Sequence, residues 1–139
     1  MAVLYKLGDW LRRLSRPTVQ IQVRETATMD ALPTPLPQNE LFLVGNSIRP
    51  KWAVLACPCG CGRRIDVNLM PTRRPTWKLS RTGNLVSLFP SLWMPETHCG
   101  SHFWIIDSRI HWDPGLGRYR APKARGARDD EPRTEGFDP

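Results

Sequence analysis

Three cysteines fall within five residues, Cys57-Pro58-Cys59-Gly60-Cys61. The fourth and last, Cys99, comes later, with His102 three positions beyond it. A soft divalent metal takes about four nitrogen or sulfur ligands in a tetrahedron. Four thiols and an imidazole, gathered at two points that a fold can bring together, argue first for a zinc site. Alternate residues of a strand point to opposite faces, so the three clustered thiols converge only in a turn. Gly60 and Gly62 supply the left-handed backbone that a tight thiolate turn needs. Two ligand sets satisfy the count: Cys57, Cys59, Cys61 and Cys99, or Cys57, Cys61, Cys99 and His102. The all-thiolate set is preferred because it leaves His102 free. Catalytic zinc keeps an open position, and several thiolates leave a bound water little acidified, so the expected zinc is structural.

With a structural metal, any reaction must come from other groups. Ser91 follows Pro90 at the end of an apolar run, and His102 begins another beside the last cysteine. A serine at a strand end with an imidazole on a neighbouring strand can form a nucleophile–base pair. Asp107, Asp66 or Glu96 could orient the ring. The chain has no Gly-rich phosphate loop and no His-Glu-x-x-His helix. Of the six tryptophans, Trp93 is the best candidate for an exposed contact.

The elements that must position these groups read mostly as short strands. Thr18 to Val23 alternates, Glu40 to Gly45 and Trp52 to Ala56 are apolar, and Arg64 to Leu69 alternates again. Trp77 to Leu79 and Leu85 to Phe89 flank a hairpin-like Thr82-Gly83-Asn84. Phe103 to Ile106 and Arg109 to Trp112 close the series. The thiol turns are expected on adjacent strands, as in a zinc ribbon. Residues 1–16 carry Leu4, Leu7, Leu11 and Leu14 at helical spacing, ended by Pro17, and read as an amphipathic helix. Residues 118–139 hold six basic and five acidic residues with no aliphatic larger than Ala, too little to offset ordering entropy. The expected fold is mainly β: a small antiparallel, zinc-stabilised domain over 18–117, with that helix before it and a disordered tail after it.

The net charge of +7 is spread along the chain, without the stripe of cations and aromatics of a nucleic-acid binder, so nucleic acid is not favoured. No run approaches the roughly 20 apolar residues of a membrane span, and the helix is short for membrane binding, so no membrane partner is favoured. The start lacks an apolar secretory core, and Cys57, Cys59 and Cys61 are too close to pair easily as disulfides. A reduced, cytoplasmic setting is expected.

Taken in order, Cys57-Pro-Cys-Gly-Cys-Gly62, Trp77-x-Leu79, Val86-Ser-Leu-Phe-Pro-Ser91, Cys99-Gly-Ser-His-Phe-Trp104 and Ile110-His-Trp112 resemble a small bacterial family long labelled as of unknown function. It is often encoded beside ubiquitin-like proteins, ThiF-type activating enzymes and conjugating-type enzymes. The resemblance covers roughly Glu40 to Trp112. It departs at Asp107-Ser108-Arg109, where the family more often has an Asn/Asp-Gly type of turn. Such operons need a peptidase that trims the ubiquitin-like precursor or removes it from targets. The resemblance therefore implies a peptidase with Ser91 as nucleophile, His102 as base and zinc as scaffold. Its implied partners are the bacterial ubiquitin-like protein and its activating and conjugating enzymes. The competing reading is a non-catalytic zinc adaptor or ligase-like module of the same pathway, with His102 on the metal.

Overall fold

This computed structural model describes residues 18–95 and 99–113. The helix expected at 1–16 and the tail at 118–139 lie outside the described residues. Among those described, nine strands and one 3-10 turn, Met29–Ala31, are present, with no α-helix. One sheet holds β1 (Val19–Gln20), β6 (Lys78–Thr82), β7 (Leu85–Trp93), β8 (His102–Ile106) and β9 (Arg109–Trp112), in the order β1-β9-β8-β7-β6. The other holds β2 (Gln22–Thr26), β3 (Glu40–Gly45), β4 (Pro50–Ala56) and β5 (Arg64–Asn68), in sequence order.

The mainly antiparallel expectation holds, with one exception. β2 runs parallel to β3, with Gln22 opposite Glu40 and Thr26 opposite Val44. A parallel pair needs a crossover of about a dozen residues or more, and the proline-rich segment 27–39 supplies it. The single strand expected over Thr18 to Val23 also divides. Ile21 is buried between the sheets; its N–H donates to the Ser108 carbonyl (2.8 Å), while Gln22 N–H donates to Asn39 (2.8 Å).

The sheets share one core. Leu41, Leu43, Ala53, Leu55, Ile65 and Val67 meet Val86, Leu88, Leu92, Phe103, Ile105 and Ile110. Burying one such side chain is worth about 1.5–3 kcal/mol, so a one-residue slip of β8, which would turn Phe103 and Ile105 outward, is strongly disfavoured. On the far side of the second sheet, Phe42, Val44 and Val54 pack against Met29, Leu32 and Leu36. The crossover thus also covers a sheet face.

Two hairpins and one irregularity set up the site. β6 and β7 are joined through Gly83 (φ 60°) and Asn84. β8 and β9 are joined through Asp107 (φ 49°) and Ser108 (φ 57°), the two left-handed residues of a tight hairpin turn. Along β7, Leu88 faces Ile105 but Leu92 faces Phe103, so Phe89, Pro90 and Ser91 bulge from the ladder with β8. Proline has no N–H to give a ladder, which suits Pro90 to this place. Ser91 thus lies inside a strand, not at its end as expected from the sequence, because β7 resumes after the bulge.

Candidate active site and metal centre

The bulge and the β8–β9 hairpin together build a row across the outer face of the first sheet. Leu92 and Phe103 point into the core, so Ser91, Trp93 and His102 point the other way. Ser91 Oγ lies 2.7 Å from His102 Nε2. On the other side of the ring, His102 Nδ1 lies 3.2 Å from Asp113 Oδ2. Asp113 follows β9, and its N–H donates to the His102 carbonyl (2.9 Å). With Nδ1–H given to the carboxylate, Nε2 is left to accept the serine hydroxyl proton. Trp93 stacks on the imidazole, with centroids 5.7 Å apart and planes 28° from parallel. Ser91 is buried, His102 and Asp113 are partly exposed and Trp93 is exposed, so the row opens to solvent at one end.

The carboxylate on His102 differs from the three considered from sequence. Asp66 is tied to Arg64 (2.6 Å) on the exposed face of β5. Asp107 sits in the turn at the opposite end of β8 from His102. Glu96 lies outside the described residues. Asp113 was legible in principle: counting outward from a two-residue turn at 107–108 places it opposite His102.

The four thiols also come together. Sγ atoms of Cys57, Cys59, Cys61 and Cys99 all lie within 4.8 Å of one another. Cys57 is 3.3 Å from Cys59 and 3.7 Å from Cys99. Tetrahedral thiolates about 2.3 Å from a zinc ion stand roughly 3.8 Å apart, so the donor set fits such an ion. His102 is not a member of this group. The turn is built as the glycines suggested: Gly60 (φ 87°) and Gly62 (φ 81°) are left-handed, and Cys61 N–H donates to Cys59 Sγ (3.3 Å). Burial pushes the Cys57 thiol up, against a backbone hydrogen bond at Cys59. Burial also opposes ionisation of Cys99, but hydrogen bonds from Ser101 and the neighbouring thiols outweigh it and bring that group to about 7. One correction concerns placement. The two thiol turns are not on adjacent strands of one sheet: Cys57 to Cys61 join β4 to β5, and Cys99 precedes β8 in the other sheet. The cluster therefore bridges the sheets three residues from His102.

Among the described residues no helix is long and apolar enough to cross a membrane. Neither the curated proteins nor the solved structures contain a match to this chain. Residues 28–113, more than half of the sequence, match the family model described as bacterial ubiquitination-like system serine protease (BubE). That span holds the cysteine cluster, Ser91, His102 and, as its last residue, Asp113. The chain belongs to the BubE family of serine proteases of a bacterial ubiquitination-like system.

Proposed function

We propose that the chain is a serine peptidase that processes or deconjugates the ubiquitin-like protein of its pathway, with Ser91, His102 and Asp113 as a catalytic triad. The carrying observation is the 2.7 Å approach of Ser91 Oγ to His102 Nε2, with Asp113 on the opposite nitrogen. Ser91 Oγ attacks the scissile carbonyl carbon while His102 Nε2 takes its proton. Asp113 holds the ring in the tautomer that can do so and stabilises the imidazolium formed. Collapse of the tetrahedral intermediate breaks the bond to the leaving group, which receives the proton from His102. The ubiquitin-like protein stays as an acyl ester on Ser91. A water molecule, deprotonated by His102, then attacks the ester; collapse of that intermediate releases the carboxylic acid, and His102 returns the proton to Ser91 Oγ.

Cys57, Cys59, Cys61 and Cys99 would hold one zinc ion, which when bound supplies a cross-link between the sheets and no reacting group. Both ring nitrogens of His102 are engaged by Ser91 and Asp113, and the thiols reach four without it. These observations favour the peptidase over the adaptor with His102 on the metal.

The test is the intact mass of the pathway's ubiquitin-like precursor after incubation with wild-type protein, Ser91→Ala and His102→Ala. A mass loss with wild type that is absent in both variants, all three retaining metal, is expected. No loss with wild type would favour the adaptor. Metal loss from His102→Ala would mark the imidazole as a ligand.

A further inference from the structure

Ser91 sits where β7 has left both its ladders. Pairing with β6 ends at Lys78 opposite Phe89, and pairing with β8 resumes only at Leu92. Bulged residues are left without ladder partners, so something else must fix the main chain of the serine. Trp77, the residue before β6, does this: its indole Nε1–H donates to the Ser91 carbonyl (3.3 Å).

The indole is itself placed from the other sheet. Trp77 N–H donates to the Asn68 carbonyl at the end of β5 (2.8 Å). The buried Asn68 side chain then folds the intervening loop around itself. Its Nδ2 reaches the carbonyls of Met70 (3.3 Å), Arg73 (3.0 Å) and Pro75 (3.0 Å), and its Oδ1 accepts from Met70 N–H (3.0 Å). Thr76 Oγ adds a bond to the Asn68 carbonyl (3.4 Å). Arg73 and Arg74 are exposed, so the middle of this loop is held by hydrogen bonds more than by packing: those of the Asn68 carboxamide and Arg73 N–H to the Met70 carbonyl (3.3 Å).

We infer that Trp77 is a positioning residue for Ser91, replacing the missing ladder bond, and that Asn68 sets Trp77 by organising residues 69–77. This rests on the reading of Ser91 as nucleophile and adds to it a support reaching from the second sheet. A free carbonyl at a bulge lets the serine backbone rotate, and Oγ then swings relative to a fixed Nε2. A small displacement at a nucleophile costs rate without costing binding.

The test replaces the indole nitrogen alone, by site-specific Trp77→benzothienylalanine, a sulfur isostere without the N–H, in the full chain. The readout is the second-order rate of Ser91 labelling by a fluorophosphonate probe, beside kcat and KM on the precursor. A fall of about 3- to 10-fold in labelling and kcat is expected, the range that one neutral hydrogen bond supplies, with KM unchanged and the thermal midpoint lowered by only a few degrees. Asn68→Asp keeps the acceptor for Met70 and loses the three donated bonds; it should lower labelling in the same direction. Equal labelling of the isostere and wild type would overturn the inference alone. A normal rate in Asn68→Asp would overturn the part assigned to Asn68. Wild type that is not labelled at Ser91 would overturn the nucleophile reading and the inference with it.

Discussion

Asp113 meets His102 twice, through its carboxylate at Nδ1 (3.2 Å) and through its N–H at the His102 carbonyl (2.9 Å). The second bond belongs to the hairpin, so strand pairing places the residue that carries the carboxylate beside the imidazole. Asp113→Asn keeps that main-chain bond but offers Nδ1 an amide in place of an anion. The ring then adopts the tautomer with its proton on Nε2, which cannot accept from Ser91. We predict a fall in kcat of about 10³- to 10⁴-fold with metal content and circular dichroism unchanged. A near-normal kcat would mean that His102 works as a dyad with Ser91.

How much of this was legible in the sequence depends on range. The thiol turn was readable because three cysteines and two glycines specify it within six residues. Glu40 to Gly45 was readable as β3 to its exact ends, because a continuous apolar run has one sensible reading. The parallel β2–β3 pair was not, since strand direction depends on where a crossover returns and not on any pattern within the strands. Ser91 was recognised while its setting was missed, because a bulge is a relation between two strands. Asp113 escapes a reading along the chain because it stands eleven residues from His102 and reaches it only across the hairpin. Pairing was the better guide, since a turn at 107–108 implies its position opposite His102.

Trp93 is exposed yet stacked on His102, so one indole face lies against the proposed triad while the side chain reaches solvent. An exposed indole beside a nucleophile is the natural contact for a substrate chain. Trp93→Ala should raise KM by about 10-fold or more, as loss of an aromatic contact does, with a thermal midpoint within a few degrees of wild type. Trp93→Phe should recover most of the affinity. Steady-state kinetics on the precursor separate these outcomes, and an unchanged KM in the alanine variant would remove Trp93 from the substrate path.

Ser108 carries a left-handed φ of 57° in a buried position. Its hydroxyl oxygen accepts from Val86 N–H (3.0 Å), its N–H donates to Val86 O (2.7 Å), and its carbonyl accepts from Ile21 N–H. One turn residue thus ties β7 to the point where the chain changes sheets. Ser108→Ala keeps the backbone penalty and strands a buried N–H, which costs about 1–3 kcal/mol. Ser108→Gly strands the same N–H but relieves the left-handed strain, so it should be the milder variant. Chemical denaturation of the two gives the order, and a reversed order would mean that the left-handed angle costs the turn little.

His111 is held below the ordinary histidine range, first by burial and then by Arg109, against smaller opposing effects of Asp107 and the Ile106 backbone. The folded protein therefore binds this proton less readily than the unfolded chain. The resulting stability is present above the unfolded histidine value of about 6.5 and is lost as pH falls through the folded value. Thermal midpoints from pH 7.5 to 5 should fall less steeply for His111→Gln than for wild type. Identical slopes would place the acid sensitivity elsewhere, in the thiol cluster first of all.

The thiol cluster joins the β4–β5 turn to the entry of β8, and His102 is the first residue of that strand. A metal there has two possible kinds of influence, and they separate experimentally. As a scaffold it holds the two sheets in register, so removal should lower the thermal midpoint by about 10 °C or more and abolish Ser91 labelling together. Adding zinc back should restore both, and native mass should give one ion per chain. Ser91→Ala should bind the metal fully, since the serine contributes nothing to the cluster. Cys99→Ser should resemble the stripped protein, because it cuts the only thiol contributed by the first sheet's side of the bridge. If a chelator abolished turnover while midpoint and labelling stayed at wild-type values, the metal would belong to the reaction. If it changed none of the three, the four thiols would be packing, and the register of β8 would rest on Phe103 and Ile105 alone.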